Sequence, residues 1–199
     1  MAEYVNNERL REVVNQYNNL NIYDKGEWCA AYLQRLENKH ANNKVDDAKF
    51  ILGRDFIIKK VKQIEDLQAH YASLNSEEKR RFDLDFERIK NEMCEYFILI
   101  INGRINSFKL RTSLRNPEEI DDIVQDALIC VLNYINRYDE ARGTSAFAFV
   151  TQLATNSIKL SLNQIKEREK RMVSGLDYYE NLNTTDEQQG LSGINKYLE

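Results

Sequence analysis

The apolar residues between Ile120 and Tyr138 recur in steps of three or four, which is the spacing of one face of an α-helix. The chain has 199 residues with seven glycines and one proline, so little in it interrupts helices. Pro117 suits a first helical position, Asn116 can cap it, and Glu119 can close a capping box. We therefore predict a helix that starts near residue 117 and buries Ile120, Val124, Ala127, Val131, Ile135 and Tyr138.

The other face of this helix is acidic. Residues 117–140 contain seven acidic side chains and one basic one. The exposed surface should therefore repel nucleic acid and attract a cationic protein. Its polar positions are Asp122, Gln125, Asp126, Asn133 and Asn136.

A sharp corner should separate this helix from the next one. Gly143 can adopt a positive φ, and Thr144 or Ser145 can cap the helix that follows. The apolar positions of that second helix predict a buried stripe made of Phe147, Val150, Ala154, Ile158, Leu162 and Ile165.

A second stripe of the same period lies on the outer side of this helix. It begins with an aromatic residue, continues with amides and ends with cations, namely Phe149, Gln152, Asn156, Lys159, Asn163, Lys166 and Lys170. Such an order suits a helix that meets bases first and phosphates afterwards. The pattern also fits a face that is simply solvated, and the residues alone leave both interpretations open.

Residues 120–158 resemble the central conserved region of bacterial sigma factors. The resemblance rests on Asp122, Gln125 and Asp126, on the apolar run after them, on the corner from Tyr138 to Gly143 and on the aromatic-bearing helix beyond. It implies a helical domain that binds the clamp coiled coil of the RNA polymerase β′ subunit and helps to melt the promoter −10 element.

The resemblance implies a role for each face. The residues implied in polymerase binding are Asp122, Gln125, Asp126 and Asn133. Those implied in binding the non-template strand of the −10 element and its flanking phosphates are Phe149, Gln152, Asn156, Lys159, Asn163, Lys166, Arg168, Lys170 and Arg171. Housekeeping sigma factors carry two tryptophans on this helix, where this chain has Gln152 and Leu153. We therefore expect melting to depend on help from a partner or on an AT-rich element.

A narrower resemblance involves both ends of the chain. The start, from Tyr4 to Asn7 with the helix after it, is similar to the start of the late-promoter sigma factors of T-even-type bacteriophages. That family also carries a basic segment like residues 165–168. The last residues resemble the peptide by which those factors bind a DNA sliding clamp, through Leu191, Ile194, Tyr197 and Leu198.

This second resemblance implies a phage sigma factor in the cytoplasm of an infected bacterium. The implied partners are promoter DNA, the host RNA polymerase core with its β′ clamp and β flap, the phage sliding clamp and a late coactivator. Only 28 residues follow Arg171. We therefore expect any upstream promoter contact to come from a partner.

Helical periodicity extends over most of the chain, and we predict an all-α fold with a sigma region 2-like core. The expected organisation is amino-terminal helices at 1–44, a hairpin-like helical elaboration at 45–90, the core at 91–175 and a flexible tail at 176–199. Within it, Leu33 and Leu36 should contact the first helix. Lys59, Lys60 and Lys62 should form a solvated cluster.

Several function classes are disfavoured. The net charge is −4 and the pI about 5.4, which suits a DNA-binding subunit only if a larger assembly supplies most of the affinity. Cys29, Cys94 and Cys130 have no CxxC spacing, and the two histidines stand alone, so we expect reduced thiols, no metal and no cofactor. The longest apolar run, residues 96–101, is too short to cross a membrane, and no signal peptide is expected.

Catalysis is also disfavoured, because the chain has no phosphate-binding glycine loop and no hydrolase motif. The corner is too long for a helix-turn-helix repressor. The alternative to a sigma factor is a helical adaptor, an anti-sigma factor or a coactivator that regulates RNA polymerase without binding DNA.

Overall fold

The computed structural model describes residues 5–24, 26–114, 118–140 and 143–194, with side chains described for all of these except 113 and 173–194. The elements are α1 (Asn7–Leu20), α2 (Glu27–Ala41), α3 (Asp47–Ser73), α4 (Ser76–Ser107), α5 (Leu110–Ser113), α6 (Glu118–Tyr134), a 3₁₀ turn (Ile135–Arg137) and α7 (Ala146–Ile194). No strand occurs in the described ranges, and the all-α prediction is confirmed.

Side-chain caps fix where several helices begin. The Asn6 carboxamide oxygen accepts hydrogen bonds from the backbone N–H groups of Glu8 and Arg9 at 3.0 and 3.2 Å. Asn75 does the same for α4, and Glu78 accepts from the Asn75 N–H at 2.9 Å, which completes a capping box. These bonds satisfy backbone donors that have no partner inside the helix. The predicted cap of α6 at residues 116–117 lies outside the described residues.

One hydrophobic core joins α1, α4, α6 and α7. The stripe predicted for α6 is buried, except that Val124 is only half-buried, and α1 buries Leu10, Val13, Val14 and Tyr17. The largest fully buried side chains include Leu10, Met93, Phe97, Ile101, Ile123, Ile135, Val150 and Ile158. The Arg9 guanidinium also binds both carboxylate oxygens of Glu92, at 2.7 and 2.9 Å, and ties α1 to α4.

The helices α2 and α3 form a separate layer and pack mainly on each other. The expectation that Leu33 and Leu36 would contact the first helix is wrong, because α1 packs against α4 and α7 instead. Leu36 is buried against Gly53 of α3, where a Cβ atom would lie 2.6 Å from its Cδ2. The missing side chain therefore lets α2 and α3 approach closely.

The long helices α3 and α4 do not pair along their length as the predicted hairpin required. They meet beside their connection, where the Tyr71 ring lies edge-on to Phe82 at 5.3 Å and the Tyr71 hydroxyl donates to Asp83 at 3.2 Å.

The predicted lysine cluster on α3 is only partly solvated. Lys59 and Lys62 are exposed, but Lys60 is buried at 6% exposure. Its pKa is lowered by burial, although the nearby carboxylates of Asp24 and Asp139 oppose that effect. Lysine can lie inward here because its long apolar stem fills the space and opposite charges lie near its end.

The helix α7 is longer than the sequence predicted. The backbone stays helical through Ile194, where the composition favours an irregular connector from residue 176. The segment contains glycines but no proline, so nothing in it removes a backbone donor. None of the helices in the described ranges has an apolar stretch long enough to cross a bilayer.

Candidate functional site

The acidic face of α6, defined as Asp122, Gln125, Asp126 and Asn133, is exposed along its whole length. This is the exposure that the sequence predicts. Asp126 is held in place by α7, because the Ser161 hydroxyl donates to its carboxylate at 2.9 Å. Ser161 is itself buried, so the bond fixes the carboxylate at the edge of the helix pair.

A groove of about 630 Å³ runs between α6 and α7 beside this face. Its apolar floor includes Ile129 and Leu160, which remain 56% and 60% exposed. The residues that line the α6–α7 groove are Asp126, Ile129, Cys130, Asn133, Tyr134, Leu153, Asn156, Ser157, Leu160, Ser161 and Gln164. The sequence placed Asp126 and Asn156 on two separate surfaces, and the structure brings both into one groove.

The corner between the two helices has the predicted chemistry. Gly143 adopts φ +74°, a value that favours glycine. The Ser145 hydroxyl then caps α7 by accepting from the Ala148 N–H at 3.1 Å. Residues 141–142 lie outside the described ranges.

Elements that the sequence did not connect to the corner hold it from the other side. The Asn21 carboxamide of the α1–α2 loop donates to Asn136 at 3.2 Å, and the Arg137 guanidinium lies over the rings of Trp28 and Tyr134 at 5.4 and 4.3 Å. Both ring contacts are cation–π interactions. The contacts of Asn136 with Asn21 and of Arg137 with Trp28 had no local signal, because these partners are more than a hundred residues apart in sequence.

The outer stripe of α7 is exposed from Gln152 onwards, as predicted. Its exposed members are Gln152, Asn156, Lys159, Asn163, Lys166 and Lys170, and the neighbouring Arg168 and Arg171 are exposed as well. The Gln152 amide donates to Asn156 at 3.3 Å, so the two amides are aligned along one side of the helix. Lys170 is paired with Glu167 at 2.9 Å, while the charge of Lys166 faces solvent.

The two phenylalanines at the start of α7 exchange their predicted places. Phe147 was expected in the core but is 37% exposed, because Ala146, at 1% exposure, occupies the inward position one turn before Val150. Phe149 was expected to face outward, yet it is half-buried with its ring 5.7 Å from that of Tyr138. Burial raises the pKa of the Tyr138 hydroxyl.

The proposed tail residues can be placed only in part. Leu191 and Ile194 lie on the helical backbone of α7, whereas Tyr197 and Leu198 fall outside the described residues. The sliding-clamp peptide therefore stays a prediction.

The structure gives other roles to residues with metal-binding or redox chemistry. The three cysteines are free thiols, and burial raises the pKa of Cys29 and of Cys94. The His40 ring stacks on Phe50 at 4.3 Å and its Nε2 lies 2.7 Å from Asp47. Among the residues that the structure describes, no group of three or more potential ligands gathers for a metal ion.

The match to a known family falls on this helix pair. Residues 107–168 match the family model of Sigma-70 region 2. The matched part of the chain is a sigma region 2-like domain, and it comprises the end of α4, α5, α6, the corner and the first part of α7. It covers about a third of the chain. No curated protein and no solved structure matches the chain at a significant level.

The residues similar to Sigma-70 region 2 contain the acidic face of α6 and the α6–α7 groove. The acidic face borders this groove at Asp126 and Asn133, and the amide and cation stripe of α7 reaches the same groove at Asn156. The helices α1, α2 and α3 lie outside the matched residues, but α1 shares the domain's core.

Proposed function

We propose that this protein is a sigma-like promoter-specificity subunit of RNA polymerase. The observation that supports it is the coincidence of the Sigma-70 region 2 match with two adjoining helices whose outer faces differ in charge. An acidic helix suits a basic protein surface, and an amide and cation stripe suits nucleic acid. The same helix pair would then bind both RNA polymerase and promoter DNA and would fix their relative positions.

The acidic face is the proposed contact for the β′ clamp coiled coil. Asp122 and Gln125 would meet its basic side chains at the rim, where charge complementarity sets register and association rate. The adjoining α6–α7 groove adds exposed Ile129 and Leu160, which supply the apolar contact that a stable interface needs. Asp126 and Asn133 line this groove, so the same partner would bind both features.

The α7 stripe is the proposed contact for the single-stranded −10 element. Gln152 and Asn156 offer paired amides to base edges, and Lys159 and Asn163 continue toward the backbone. Lys166, Arg168, Lys170 and Arg171 would meet flanking phosphates. The half-buried ring of Phe149 offers one surface on which a base can stack, and such a stack is worth about 1 to 3 kcal/mol. Because one stack supplies so little energy, the proposal favours an AT-rich element, whose strands separate more easily.

At a finer level we propose a bacteriophage late sigma factor. The resemblance of residues 4–7 and 165–168 to that group supports this assignment, as does the acidic and apolar composition of residues 176–199. In this proposal the last residues, with Leu191, Ile194, Tyr197 and Leu198, bind the sliding clamp, and a coactivator bridges to the β flap. The sliding clamp would then supply the contact with upstream DNA.

The test is capture of bacterial core RNA polymerase by the pure protein, followed by run-off transcription on an AT-rich −10 template. Asp122→Arg should reduce capture at least about tenfold, because a like charge would face the basic coiled coil. Asp122 makes no side-chain hydrogen bond in the described part of the structure, so its replacement leaves the fold intact. Asp126→Arg should act in the same direction and also loses the Ser161 bond.

Asp66→Arg is the matched control, since Asp66 is exposed on α3, away from the helix pair. Equal capture by Asp122→Arg and Asp66→Arg would remove the docking role of the acidic face. Capture without any crosslink between α7 and promoter DNA would instead favour a polymerase-binding adaptor.

A further inference from the structure

A second cationic surface lies at the end of α4 and in α5, beside α7. Residues 96–117 contain four basic side chains and no acidic one, although the chain as a whole is acidic. The described cations of this segment are Arg104, Lys109 and Arg111, and we call them the α4–α5 basic patch.

Contacts across the fold fix the patch against α7. The Arg104 Nε donates to the Thr155 hydroxyl of α7 at 3.1 Å, and its guanidinium lies 4.8 Å from the centre of the Phe108 ring. Lys159 follows Thr155 by one helical turn, on the same side of α7. The patch therefore extends the cationic part of the α7 stripe sideways across the domain surface.

The patch residues are held by neutral partners. Arg111 donates to Asn106 at 3.2 Å and to Asn102 at 3.0 Å, while Lys109 is exposed. In the described ranges none of the three cations pairs with a carboxylate. Amide partners orient a guanidinium without neutralising it, so its charge stays available to an anion.

The first half of α4 shows the opposite arrangement on the same helix. Three of its cations pair with carboxylates in the same turn or the next, namely Arg81 with Glu77, Arg88 with Asp85 and Lys90 with Glu87. An ordinary solvated helix face pairs its charges in this way. The end of α4 therefore differs from its beginning, because acidic side chains lie among the cations of the first half and none lies in residues 96–117.

We propose that the α4–α5 basic patch binds the phosphate backbone of promoter DNA next to the strand held by α7. The proposal rests on the proposed function and extends the DNA surface to residues outside α7. Its chemistry is sequence-independent, because guanidinium and ammonium groups recognise phosphate rather than bases.

The experiment compares two charge-matched triple variants in reconstituted polymerase. The patch variant combines Arg104→Gln, Lys109→Gln and Arg111→Gln. The control variant combines Arg80→Gln, Arg81→Gln and Arg88→Gln, and it removes the same charge from the first half of α4. Promoter affinity is measured against salt concentration. The logarithm of affinity falls as the logarithm of salt concentration rises, and each lost phosphate contact should make this slope shallower by about 0.9. The slope of the patch variant should therefore be shallower by roughly 2 to 3.

Two further variants separate charge from stability. Arg104→Gln also loses the Thr155 bond, so the double variant Lys109→Gln with Arg111→Gln keeps that bond and should still lose about 2 in slope. Arg104→Lys retains the charge and should stay close to the wild type. Helical circular dichroism checks that each variant is folded.

The same variants are tested without polymerase on a short DNA duplex at low salt, so a failure of polymerase binding is distinguished from a failure of the patch. Core polymerase capture should be unchanged by the patch variant. If the patch variants behave like the control in both assays, or the wild-type chain binds DNA in neither, the proposal is wrong.

Discussion

At the scale of single residues, Tyr17 connects the amino-terminal helix to the corner. Its ring is 7% exposed and stacks on Phe86 at a centroid distance of 5.4 Å. The Asn21 amide donates to its hydroxyl at 3.3 Å and also to Asn136 at 3.2 Å. Burial raises the pKa of Tyr17 to about 12.

This pKa predicts a loss of stability in alkali. The unfolded tyrosine loses its proton from about pH 10, whereas the folded one keeps it until about pH 12. Deprotonation therefore favours the unfolded state as the pH rises between these values, and the contribution is constant below pH 10. Tyr17→Phe should flatten the fall of the urea midpoint between pH 9.5 and 11.5.

The control for this prediction is Tyr23→Phe, since Tyr23 is 64% exposed. The pKa values of Tyr71 and Tyr138 are also raised by burial, but both residues are present in wild type and variants alike. The difference between the curves therefore isolates Tyr17. Identical alkaline slopes for wild type and Tyr17→Phe would contradict the assignment.

At the scale of elements, the α2–α3 layer depends on close approach at one glycine. A side chain at Gly53 would displace Leu36, which is buried between the two helices. Gly103 of α4 differs, since a Cβ there would meet nothing within 4 Å. Adding a side chain should therefore destabilise the fold at Gly53 and stabilise it at Gly103.

Gly53→Val should lower the free energy of unfolding by about 1 to 3 kcal/mol, because overpacking forces α2 and α3 apart. Gly103→Ala should raise it by about 0.5 to 1 kcal/mol, since alanine favours the helix and no neighbour must move. Urea denaturation followed by circular dichroism measures both. Loss of stability in the Gly103 variant would show that this glycine has a contact of its own.

At the scale of the whole molecule, the amino-terminal helix belongs to the core of the sigma region 2-like domain. Four side chains of α1 are buried there, namely Leu10, Val13, Val14 and Tyr17. Without them the apolar faces of α4 around Phe86, Met93 and Phe97 would meet water. The matched family segment is thus completed by residues that precede it in the chain by about a hundred positions.

A chain that begins at residue 22 should therefore fail to fold cooperatively. Truncating one large core residue costs roughly 2 to 5 kcal/mol, and loss of the whole stripe exceeds the 5 to 15 kcal/mol by which domains are usually stable. A chain that ends at residue 172 is the control, because the described core extends only to Ile165. Thermal unfolding followed by circular dichroism at 222 nm distinguishes the two chains. A sharp transition in the chain that begins at residue 22 would refute the prediction.

The sequence by itself determined most of the helices, most of their buried faces and the positive φ at Gly143. It also predicted the exposed acidic face and most of the outer stripe of α7. These features depend on residues a few positions apart, whose spacing and capping chemistry can be read locally. The resemblance to sigma factors used the same local patterns, and the family match falls on the same segment.

Only the tertiary structure decided which helices meet. It placed α1 on α4 rather than on α2, buried Lys60, bonded Asp126 to Ser161 and brought Arg104 beside Thr155. Periodicity shows which face of a helix is apolar, but many helices in this chain have such faces. The choice among them depends on shape and charge complementarity between residues far apart in the chain, which no local spacing encodes.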